Sequence, residues 1–74
     1  MRKFETDYAG AWRGYCNTRE SAIVAATRHL ARDGYRRATI SDRETGEVVC
    51  RVELGPDKRT IIITAVRIFR KIGL

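Results

Sequence analysis

The chain has little of what catalytic and membrane-spanning proteins are built from. It holds one histidine, His29, and two cysteines, Cys16 and Cys50, with no Cys-x-x-Cys pair. Three such side chains fall short of the spaced ligand sets of a zinc site. A Cys–His nucleophile pair would lack a third group to orient it. Neither a G-x-G-x-x-G turn nor a P-loop occurs, so the common phosphate cradles are missing too. No catalytic residue, metal or cofactor is therefore expected. No apolar run approaches the roughly 18 residues of a membrane helix, and the opening MRKFETDYAG has no apolar signal core. A cytoplasmic protein with reduced thiols and no membrane partner is the expectation.

Size sets a further limit. A chain of 74 residues makes one domain, and its core supplies only about 3–5 kcal/mol of net stability. Partner binding or oligomerisation fits such a chain better than a deep enclosed site does.

Charge is what the chain has in quantity. Lys and Arg number 15 against 9 Asp and Glu, for a net +6, and twelve of those cations are arginine. The planar guanidinium suits phosphate, carboxylate and stacked aromatic partners. The distribution is uneven: residues 1–16 sum to +1, 17–37 to +3, 38–57 to −3 and 58–74 to +5. An acidic segment between two basic ones can orient the molecule on a partner as well as attract it.

The stretch NTRESAIVAATRHLARDGY predicts a helix over roughly 18–33. Asn17 or Thr18 would cap it, with Asn17 and Glu20 spaced as a capping box, and Ile23, Ala26 and Leu30 would form its apolar stripe. Gly34 would end it in the left-handed conformation, with Tyr35 packing back on Leu30. RRATISD and EVVCRVEL, joined by RETG, alternate as two strands of a hairpin near 36–42 and 47–54. Strict alternation puts Val48, Cys50, Val52 and Leu54 on one face. The turn GPDK leads to RTIIITAVRIF, read as a strand near 59–66, with Ile62, Thr64, Val66 and Ile68 on one face. A short helix capped by Thr64 is the alternative for residues 65–72.

YAGAWRGYC, residues 8–16, is read as the first strand. Tyr8, Gly10, Trp12, Gly14 and Cys16 then share a face, with Trp12 as the plug between sheet and helix. The resulting order is β-α-β-β-β, an α+β fold with a three- to four-stranded antiparallel sheet and one helix on one face.

Three groups of residues are candidates for contact with a partner or nucleic acid. Arg13 and Tyr15 interleave charge and aromatic surface, as single-strand binders do, although the aromatic signature of an RNA-recognition motif is missing. Arg28, Arg32, Arg36, Arg37, Arg67, Arg70 and Lys71 supply the basic surface. Asp42, Glu44 and Glu47 gather at a hairpin tip and suit the basic groove of a nucleic-acid-handling protein. Separately, Ile62, Val66 and Ile68 form an apolar face left uncovered by a single helix, a candidate interface for a partner or a homodimer.

TRESAIVAATRHLARDGYRRATISDRETGEVV, residues 18–49, resembles the helix-plus-hairpin unit of small bacterial and phage βαββ domains. A similar build occurs among phage-encoded anti-CRISPR proteins. That resemblance implies a non-enzymatic inhibitor that docks on a protein or nucleoprotein complex, such as a CRISPR effector, and blocks its nucleic-acid path. It assigns no residue. The alternatives are a small basic DNA- or RNA-binding protein and a structural homodimer.

Overall fold

In the computed structural model, which describes residues 2–65, the aromatic opening folds back on itself. β1 (Phe4–Tyr8) and β2 (Trp12–Cys16) form an antiparallel hairpin, where a single strand over 8–16 is expected from the sequence. The turn explains the difference. Ala9 and Gly10 both take positive φ, 51° and 78°, the requirement of the primed turns whose twist matches a hairpin. The Ala11 N–H donates to the Tyr8 carbonyl at 2.9 Å, and the Asp7 carboxylate accepts the Gly10 N–H at 2.9 Å. Gly10 adopts this geometry freely, whereas Ala9 meets a cost of about 1–2 kcal/mol.

The chain continues through α1 (Arg19–Asp33), β3 (Arg37–Asp42), β4 (Val48–Leu54) and β5 (Ile61–Ala65). The five strands lie in the order β2-β1-β3-β4-β5, every pairing antiparallel. Over the described residues the fold is α+β, with one helix on a sheet that the extra hairpin enlarges to five strands; the strand-or-helix alternative for residues 65–72 lies, beyond Ala65, outside them. Thr18 rather than Asn17 caps α1: its side chain accepts the Ser21 N–H while Ser21 Oγ accepts the Thr18 N–H. Gly34 closes the other end at φ 78°, its N–H on the Leu30 carbonyl.

Ala22, Ala26 and Leu30 turn from α1 into the core, against Tyr8, Ala38, Ile40, Cys50 and Val52 of the sheet. Small residues in the middle let the helix sit close, so the large side chains fall at the ends. Tyr8, only 1% exposed, fills one end. Burial, reinforced by Cys16 and Asp33 nearby, pushes its phenol up to about 12.

Trp12 is not the plug. It stands 37% exposed because the turn assigns it to β2, the outer strand, while Tyr8 stays on β1 beside β3. A bulge between Ile40 and Ser41 also breaks the strict alternation expected of β4, and Val49, not Val48, packs against the core. Cys16 and Cys50 sit on β2 and β4 with two strands between them. Three strand spacings separate them by about 14 Å, beyond disulfide reach. On β5, Ile62 and Ile63 are 45% and 50% exposed, and Ile62 lies on the face away from α1 as expected. Val66 and Ile68 lie outside the described residues.

Among the described residues, Thr6 Oγ1 and Arg51 Nε are buried without a hydrogen-bond partner, and Thr6, 1% exposed, is the one in the core. Thr6→Val removes that hydroxyl at nearly constant shape and should stabilise the domain by about 1–2 kcal/mol. Thermal unfolding checks this: Tm should rise by several degrees, about 5 °C. A fall would mean that the hydroxyl is satisfied.

A candidate anion-binding end

The face of the sheet away from α1 carries charge, but in opposed pairs. Register places Arg13 opposite Asp7, Arg37 opposite Glu53 and Tyr15 opposite Glu5. Arg13 Nε approaches Glu5 to 3.9 Å, and the Arg43 guanidinium sits 4.9 Å above the Tyr15 ring. Arg13, Tyr15 and Arg37 thus share a face, each with an acidic residue directly across the strand pair.

The acidic hairpin tip is similarly tempered. Asp42 Oδ1 accepts the Glu44 N–H at 2.8 Å, while backbone bonds from Asp42 to Glu47 and from Gly46 to Asp42 close the turn. Asp42 is therefore part of the turn's own structure. Glu44 lines a shallow depression with Arg2, Lys3 and Arg43. The Arg43 N–H and guanidinium are themselves bound to the Lys3 and Arg2 carbonyls. Glu47 is half-buried.

The opposite end of the molecule is different. A cleft of about 830 Å³ opens between the C-terminal turn of α1 and the β4–β5 connection. Leu30, Leu54 and Pro56 form its apolar part, and Arg32, Arg36 and Lys58 bring three cations to it. Each is placed by backbone. Arg32 rides the last helical turn, where its charge also offsets the negative helix end. Arg36 lends its carbonyl to the Leu54 N–H at 2.8 Å, which ties it to β4. Lys58 takes φ 61°, and its N–H bonds the Gly55 carbonyl at 2.9 Å.

One carboxylate, Asp33, lines this cleft, and Asp57 precedes Lys58 in the β4–β5 connection. Asp33 Oδ2 lies 3.0 Å from His29 Nδ1, and Asp33 Oδ1 lies 3.9 Å from Arg32. Asp57 accepts the N–H groups of Arg59 and Thr60 at 3.0 and 2.9 Å and the Thr60 hydroxyl at 2.7 Å. Those bonds, Thr60's first, hold its carboxyl down at about 2. Arg28 lies one helical turn before Arg32 and is exposed. Arg67, Arg70 and Lys71 lie outside the described residues.

An aromatic cluster adjoins the same end. Tyr8 and Trp12 stack with centroids 4.4 Å apart and planes 15° apart. His29 meets both rings edge-on, at 5.2 Å from Tyr8 and 4.8 Å from Trp12. Tyr35 lies 5.7 Å from Tyr8 and 6.4 Å from Trp12.

Sequence reading missed Lys58 and the Trp12 surface. The Pro-Asp turn at 56–57 was the available signal for Lys58. Among the described residues, no three His, Cys, Asp or Glu gather as metal ligands, and no helix is long and apolar enough to cross a membrane. Cys50 is buried on β4, and that burial pushes its thiol up. No family model, curated protein or solved structure matches the chain.

The β4–β5 connection should depend on Asp57. A depressed carboxyl contributes stability above its ordinary titration range, and that contribution is lost as pH falls through the folded value. The turn should therefore persist to about pH 2. Hydrogen exchange at about pH 3.5, just below the ordinary carboxylate range, should find the Thr60 amide protected in the wild type and faster-exchanging in Asp57→Ala. Equal exchange in the two proteins would show that Asp57 does not hold the loop.

Proposed function

We propose that the protein is a non-enzymatic cytoplasmic binding module that grips a nucleic-acid strand by its phosphates. Arg32, Arg36 and Lys58 of the cleft are the gripping groups, with Arg28 continuing the row along α1. One observation carries this reading: three cations, Arg32, Arg36 and Lys58, line one cleft against a single lining carboxylate, Asp33, which His29 and Arg32 share. The sheet face and the hairpin tip, where acid and base alternate, offer an anion much less.

A second reading is a phage anti-CRISPR-type inhibitor that occupies the nucleic-acid path of an effector complex. What favours it is the pair of exposed apolar side chains on the edge strand β5, Ile62 on the face away from α1 and Ile63 on the α1 side, each about half exposed. A protein partner, or a second copy in a homodimer, uses such surface; a phosphate backbone does not. Glu44 and Glu47 would then face basic residues of that partner.

Salt dependence separates the two. Four cations on phosphates give a log–log slope of binding against salt of about −3 to −4. Arg32→Glu with Arg36→Glu should weaken binding to all sequences alike and flatten the slope by about 2. Naked nucleic acid bound weakly, or with affinity that does not change with salt, would overturn the first reading. Loss of binding to an effector complex on Ile62→Lys, with the fold intact, would then support the second.

A further inference from the structure

We infer that the strand is held single-stranded, with an unpaired base stacked on the outer face of Trp12; this rests on the nucleic-acid reading above. The ring geometry is the starting point. One face of the indole lies on Tyr8 at 4.4 Å. A ring stacked on the opposite face would stand about twice a stacking distance from Tyr8, roughly 8–9 Å. His29 and Tyr35 lie 5.2 and 5.7 Å from Tyr8, so both flank the stack and neither covers that outer face. Trp12 also belongs to β2, the outermost strand of the sheet, and the residue is 37% exposed.

The indole is thus a rigid shelf at the sheet margin, backed by a buried tyrosine and steadied at its edge by His29. Its neighbours supply the charge. Arg28 precedes His29 on α1 and Arg32 follows it by three residues, so cations flank the residue that touches the shelf. A ring for a base beside cations for the adjoining phosphates is the arrangement that retains single strands. A duplex keeps its bases stacked inside and could offer the shelf nothing but backbone.

Trp12 is the only tryptophan in the chain, so its fluorescence reports the stack directly. The full chain is titrated at one low salt concentration with oligo(dT) and oligo(rU) of about ten nucleotides, and with a hairpin duplex of matched charge. Both single strands should quench the indole. The duplex should not, and it should bind about 5-fold or more weakly. Trp12→Ala should lower single-strand affinity about 5-fold or more, leaving duplex affinity unchanged, while Trp12→Phe keeps most of it. Quenching by either strand supports the inference, and the tighter of the two identifies the source as DNA or RNA. Equal affinity for duplex and single strand without quenching overturns it and leaves the phosphate grip standing. Absence of binding to any of the three overturns both.

Discussion

The burial of Tyr8 beneath α1 is the constraint on which the rest of the structure turns. The helix meets the sheet through small residues, Ala22 and Ala26 above and Ala38 below. A close approach of that kind leaves room for one large ring only at its margin. Tyr8 takes that place because the turn at Ala9 and Gly10 ends β1 there. The same turn sends Trp12 to the outer strand and lays its ring against that of Tyr8. A core requirement thereby produces an external aromatic surface, next to the helical turn that carries Arg32.

Electrostatics follows the same logic of position over composition. Summed along the chain, the basic residues look spread over both halves. In the folded molecule, cross-strand pairing sets Arg13 and Arg37 opposite Asp7 and Glu53, whereas Arg32, Arg36 and Lys58 meet at one cleft. Opposed charges on an exposed sheet contribute little to stability, and they lower the field that a distant anion feels. The cleft keeps a net positive field because three cations line it against one carboxylate, Asp33.

Elements whose determinants are local were legible in the sequence. The helix shows its alanines, its capping Thr18 and its terminal Gly34 within one short stretch, and the β3–β4 hairpin shows its alternation around RETG. The first hairpin was not legible, because Tyr8, Gly10 and Trp12 also satisfy the parity of a single strand. Asp7 three residues before Gly10 was the signal for a turn. Which ring is buried depends on β1 pairing with β3, a contact across more than thirty residues that no local pattern encodes. Arg32 and Arg36 were recognisable as cations, but their convergence with Lys58 was not. It depends on how β4 returns to the end of α1.

The division of roles between the two rings, Tyr8 inside and Trp12 outside, is the central claim, and the titration of Tyr8 tests it most directly. A phenol buried in its neutral form favours the folded state below its ordinary range, and that contribution is lost as pH rises from about 10 towards the folded value. Tyrosine ring resonances, followed by NMR with Tyr8→Phe for assignment, should show Tyr8 holding its proton to about 12. The melting temperature should fall across the same interval. A Tyr8 that titrates near 10, the ordinary value, with no loss of stability above it, would place that ring in solvent and contradict the account.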